Sequence, residues 1–199
     1  MSKLPRKFYE RSNVVVVAKD LLGKHLCVNS KEGLTIGRIT EVEAYSGRND
    51  KACHANNGLR TNRTEVMYGQ GGYSYVYLCY GIHHLFNVVT NKKNMADAVL
   101  IRAIEPVEGI GLMLERRKRA KLDKNLCSGP GTLSKALGIN FKYHYGLDLL
   151  GDQIWIEDQP NIKESEIEYR TRIGVDYAEE DALKLWRFYI KNNKWISRK

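Results

Sequence analysis

Strand-like runs joined by glycine-bearing turns, with helical periodicity confined to a few short segments, predict a single α+β domain. The expected architecture is a mostly antiparallel sheet with helices outside it and a protruding β-hairpin. Two further observations agree. The chain has 199 residues, 43% of them hydrophobic, enough for one sizeable core. It also shows no internal repeat, low-complexity stretch or linker that would divide residues 1–199.

Taken in order, Ser12-Asn13 opens a helix in which Val14, Val17, Ala18, Leu21 and Leu22 share one face, with Gly23 as its stop. Residues 25–28 and 35–44 read as strands around the turn Asn29-Ser30-Lys31-Glu32-Gly33. Residues 46–64 are rich in Gly, Asn, Arg and Lys and carry no apolar period; so long a loop in a compact domain is more often functional than idle. Runs 73–79 and 84–90 bracket Tyr80-Gly81-Ile82-His83 as a hairpin, with Gly81 supplying the unusual backbone angles of its tip. Residues 97–104 form another strand, and Pro106 starts a helix at the tolerant first position. That helix ends in the cations of 116–121, which suit the negative end of its dipole. Ser128-Gly129-Pro130-Gly131 leads into a short helix carrying Leu133, Ala136 and Leu137, with Ser128 as its cap and exposed amides suited to a phosphate. Residues 154–156 and 167–173 are further strands, 182–190 an amphipathic helix, and 191–199 a basic tail.

The charge balance is 32 Lys+Arg against 23 Asp+Glu, a net +9. Clustered cations gain affinity for polyanions by releasing phosphate counterions, so nucleic acid is the first partner to consider. Membrane insertion is disfavoured, because the apolar run 14–18 falls far short of the roughly 20 residues a spanning helix needs. A peripheral membrane role lacks a basic amphipathic helix with a bulky apolar face. The amino-terminal residues do not lead into a signal-peptide core, so an intracellular protein, cytoplasmic or nucleoid/nuclear, is expected. Cys27, Cys53, Cys79 and Cys127 are too widely spaced to grip zinc and read as reduced thiols, so no metal is expected.

Three features carry chemistry. Period two places Glu41, Glu43 and Tyr45 on one strand face, where crowded carboxylates can tune one another and activate water. The alternative is a pair of solvated surface glutamates. Tyr73, Tyr75 and Tyr77 alternate along the next strand, as cross-strand packing or base stacking would require, and Tyr80 follows at an exposed tip where there is little to pack against. Arg102 sits within the apolar run 99–104, and a buried arginine needs a carboxylate, which the Glu41–Glu43 strand can offer.

Several collinear motifs then resemble one family across nearly the whole chain. They are Glu41-Val42-Glu43-Ala44-Tyr45, His54, Tyr75-Val76-Tyr77-Leu78-Cys79-Tyr80-Gly81 with Asn87, and Leu100-Ile101-Arg102-Ala103-Ile104-Glu105-Pro106. Leu126-Cys127-Ser128-Gly129-Pro130-Gly131, Arg172-Ile173-Gly174-Val175 and Arg187-Phe188-Tyr189 follow. The sequence resembles the alkyladenine (3-methyladenine) DNA glycosylases. The resemblance implies a single mixed α/β domain around a curved, mostly antiparallel sheet, acting as a monomer on double-stranded DNA with damaged bases, without a metal, a cofactor or a lysine nucleophile. It implies hydrolytic excision of alkylated purines in base excision repair. Glu43 matches the glutamate that activates water, and Arg102 the arginine beside it. Tyr45, His54 and Tyr77 match the side chains that sandwich the extruded base, and Asn87 the residue that screens normal purines by clashing with an exocyclic amine. Tyr80 matches the wedge that fills the gap in the duplex. Where some members carry a further aromatic three residues after the wedge, this chain has His83. The rival reading is a non-catalytic nucleic-acid-binding module in which Glu43 and Arg102 are merely an ion pair.

Overall fold

A computed structural model describes residues 2–198. Its strands are β1 (His25–Ser30), β2 (Gly33–Tyr45), β3 (Ser74–Cys79), β4 (His83–Thr90), β5 (Asp97–Glu108), β6 (Ile154–Glu157), β7 (Ile167–Arg170) and β8 (Arg187–Ile190). The helices are α1 (Arg6–Tyr9), α2 (Val14–Leu21), α3 (Ile110–Arg117), α4 (Pro130–Leu137) and α5 (Phe141–His144). Among the described residues the strands form one sheet in the order β3-β4-β5-β2-β1-β6, with β8 joined to both β2 and β7. Every strand pair is antiparallel. The expected single α+β domain is the one observed.

The long strand β2 organises the molecule. Its first half pairs with β1, whereas Glu41, Val42 and Glu43 pair with β8, so the sheet forks along a single strand. Register shifts against β5 fall between Ile39 and Glu41 and between Glu41 and Val42. Bulges bend a strand and re-aim its side chains, and these sit directly beside the two glutamates. One face of the sheet, with Val42, Ala44, Val76, Phe86, Val88, Val99 and Ile101, packs against Val17, Ala18 and Leu21 of α2 and Leu133, Ala136 and Leu137 of α4. A smaller cluster of Cys53, Ala55, Met67, Tyr68 and Tyr75 holds the loop after β2 against the opposite face. Asn13 caps α2 by accepting from the Val15 and Val16 amides, as the Ser12-Asn13 start signal predicts.

Several local expectations are corrected. Pro106 does not start a helix: β5 continues to Glu108, and Pro106 lies opposite Gly37, at a register shift where its missing N–H does least harm. The turn into α3 falls instead at Gly109, whose φ of +71° and close approach to the Leu34 carbonyl leave no room for a Cβ. Residues 182–190 are not a helix. A broken 3-10 segment, Asp176–Leu183, precedes β8, whose Phe188 enters the core while Leu183 and Leu185 stay exposed. Pairing with the open edge of β2 and with β7 outweighs the helical period there. The strand expected over 167–173 ends at Arg170, which releases Arg172 and Ile173 from the sheet. Ser128 does not cap α4: Gly129 holds the N-cap position, and no side chain bonds the first amides. The cations of 116–121 are partly pinned, with Arg116 on Glu32 and Arg119 on Asp123.

Candidate active site

Across the open face of the sheet, Tyr75, Asn87, Leu100, Glu43 and Arg187 are successive partners on β3, β4, β5, β2 and β8. Paired residues of antiparallel strands share a face, so this row brings together side chains far apart in sequence. Above it lies a cavity of about 350 Å³. Tyr45, His54, Tyr77, Tyr80, Asn87 and Arg102 all line it. Glu43 is fully buried just behind, screened by Tyr45 and Arg102.

Three donors orient the Glu43 carboxylate. The Ile173 amide donates to Oε1 at 2.8 Å, and the Tyr45 hydroxyl and Arg102 Nη1 donate to Oε2 at 2.8 and 3.1 Å. These come from the loop after β7, from β2 itself and from β5. Burial first, then the neighbouring Glu43 carboxylate, push the Tyr45 phenol well above its ordinary pKa, so it remains a donor. Burial opposes the Arg102 charge, but Glu43 and Glu41 outweigh it, and its pKa is raised. The solvated-surface reading of the two glutamates is overturned: both are 0% exposed. Glu41 accepts from Arg187 Nη1 at 2.9 Å and from the Ser197 amide and hydroxyl at 2.6 and 2.8 Å. Two carboxylates thus share a buried floor with two guanidinium groups, as isolated charges could not.

The walls are aromatic. His54 meets Tyr77 edge-on at 4.8 Å, and its Nδ1 lies 2.8 Å from the Tyr75 hydroxyl. Burial, then the charge of Arg63, hold the His54 pKa down at about 4. The Arg63 guanidinium lies 4.6 Å from the Tyr77 ring centre. The Asn87 amide donates to the Tyr75 and Leu85 carbonyls at 3.0 and 3.4 Å, which fixes the side chain in the wall. Tyr80 is 92% exposed at the hairpin tip, where φ values of +50° for Tyr80 and +72° for Gly81 make the left-handed turn that twisted strands favour.

Sequence reasoning missed part of the support. Arg172 donates to both oxygens of Asp50, at 2.5 and 2.7 Å, and to the Ala44 and Asp181 carbonyls. Its guanidinium lies 4.9 Å from the Tyr45 ring centre, so it ties the loop bearing His54 to the residue before Ile173. A charge beside apolar Ile173 and Val175 is the signal that singled out Arg102 and could have found Arg172. Arg63 sits in a polar loop and gives no such signal.

The site is thus a buried carboxylate held behind an aromatic-walled cavity, beside an exposed aromatic hairpin tip. The comparison with known proteins makes this particular. The methylpurine-DNA glycosylase profile matches residues 7–194, and the chain belongs to that family. It is 46% identical over 206 residues to a protein of Clostridium novyi, covering all of both chains. It is 48% identical over 203 residues to one of Clostridium acetobutylicum, covering 98% of this chain and 97% of the other. A protein of Methanocella arvoryzae is 46% identical over 200 residues, covering 100% of this chain and 98% of the other. Each bears the name "Putative 3-methyladenine DNA glycosylase". No helix among the described residues is long and apolar enough to cross a membrane.

Proposed function

We propose that this chain is a monofunctional DNA glycosylase that extrudes alkylated purines such as 3-methyladenine from double-stranded DNA and cleaves their N-glycosidic bond with water. The observation that carries the reading is the oriented Glu43 carboxylate behind a cavity walled by Tyr45, His54 and Tyr77. A base is beyond reach inside the duplex and must be rotated out, at a cost of a few kcal/mol that damaged pairs reduce. Tyr80 is the wedge that takes its place in the stack. The aromatic walls suit N3- and N7-alkylated purines, which carry positive charge and leave readily. Asn87, locked by two backbone carbonyls, clashes with the exocyclic amine of a normal purine.

Bond cleavage builds positive charge on the sugar, and Glu43 both stabilises that charge and directs water to it. Tyr45 and Arg102 hold its Oε2. The cavity is lined by Arg63 and Arg102 and, among the described residues, by no lysine, which favours attack by water over attack by an amine. The test is incubation with duplex DNA carrying 3-methyladenine or 7-methylguanine, scoring free base and strand nicking separately. Free base with an intact abasic strand is the expected result. Binding without release favours the non-catalytic module.

A further inference from the structure

The segment after β8 is more than a basic tail. Trp195 is buried, and its carbonyl accepts from the Thr40 hydroxyl at 2.5 Å, beside the bulges of β2. This anchor delivers Ser197 to the floor of the site. The Ser197 amide donates to Glu41 Oε2 and its hydroxyl to Glu41 Oε1, while Arg102 Nη2 approaches that hydroxyl at 3.4 Å. The Ser197 hydroxyl therefore lies between Arg102 and the second carboxylate, with Arg187 completing the shell of Glu41.

Arg102 faces two carboxylates but serves them unequally. Nη1 donates to Glu43 at 3.1 Å. Nε lies 3.4 Å from Glu41 and makes no hydrogen bond. A buried carboxylate short of donors draws any nearby guanidinium, because leaving its lone pairs unpaired is costly. Here Ser197 and Arg187 already satisfy Glu41, so Arg102 leans toward Glu43. We propose that Ser197 is a positioning residue for base excision: its hydroxyl keeps Glu41 from pulling Arg102 off Glu43. This rests on the glycosylase reading above.

The test uses the full chain with Ser197→Ala and Ser197→Thr. Ser197→Ala removes the hydroxyl and leaves the amide bond to Glu41, so the fold survives. Single-turnover release of methylated base, with enzyme in excess, is expected to fall about tenfold, the scale of one charge-assisted hydrogen bond. Affinity for lesion DNA, measured with Glu43→Gln in both backgrounds, is expected to stay within about twofold. Ser197→Thr, which retains the hydroxyl, is expected to restore most of the rate. Independently of activity, the Arg102 Nε–H resonance, assigned by its loss in Arg102→Lys, moves downfield in Ser197→Ala as it closes on Glu41. An unchanged rate in Ser197→Ala beside an active wild type, or a loss that Ser197→Thr does not repair, overturns the inference alone. A wild type that releases no base overturns the glycosylase reading, and the position of the Arg102 resonance then still decides whether Ser197 holds Arg102.

Discussion

The floor of the site and the tip of the hairpin solve opposite problems. On the floor, Glu41, Glu43, Arg102 and Arg187 are charged groups removed from water, each tied to named partners, and all but Arg102 also to backbone. At the tip, Tyr80 and Ile82 are large apolar side chains left in water, 92% and 72% exposed. Burying charge costs stability unless its partners are in place, so removing one of these guanidinium groups damages the fold. Exposing a tyrosine costs the fold little and stores contact area for a partner. One cavity is thus lined by residues of both kinds, buried Arg102 and exposed Tyr80.

Four substitutions test that contrast. Glu43→Gln keeps the shape of the side chain but takes away its charge and its ability to accept water's proton. Base release is expected to fall by roughly a hundredfold or more, the usual scale for a lost general base, while lesion-DNA binding persists. Turnover within a few-fold of wild type would remove Glu43 from the chemistry. Arg102→Ala strikes floor and fold together. It strips a guanidinium from two buried carboxylates, and an unfolding free energy lowered by about 3–5 kcal/mol, read from a shifted denaturation midpoint, is expected. An unaltered midpoint would mean that Arg102 is not the partner on which the floor depends.

At the tip the pattern reverses. Tyr80→Ala should leave the melting temperature alone but cost on the order of 1–3 kcal/mol in the flipping equilibrium, as lost base–aromatic stacking does. Fluorescence of a reporter base beside the lesion follows the extrusion, and Phe or Trp at this position should retain much of it. If the alanine variant extrudes lesions as well as wild type, the tip is not the wedge. The smallest effect at neutral pH belongs to His54, between the two regions. Its pKa stands near 4 in the fold against an ordinary 6.5, so the unfolded chain takes up the proton first as pH falls. Stability present above pH 6.5 is therefore lost progressively toward pH 4. Melting temperature followed across that window should fall less in His54→Gln than in wild type. Parallel slopes would show that His54 titrates freely in the fold.

Most of the sheet was legible because its strands alternate or run apolar between glycine turns, and the hairpin tip was legible because Gly81 marks a turn between two strand-like runs. Arg102 betrayed its need for a partner by standing inside an apolar strand. Residues 182–190 misled because four buried residues of β8 carry no alternation and copy a helical face. Pro106 misled because proline opens helices as readily as it sits at a bulge.

Sequence alone determined the α+β class, the antiparallel hairpin, the glutamate pair on one strand face and the family resemblance, all of which depend on short-range periodicity and collinear motifs. It could not decide that both glutamates are buried, that Arg172 clamps Asp50, or that Ser197 returns to Glu41 from 156 positions away. Those contacts bridge strands and loops distant along the chain. Only the forked pairing of β2 with β5, β1 and β8, and the bulges that re-aim its side chains, bring such groups within hydrogen-bond reach.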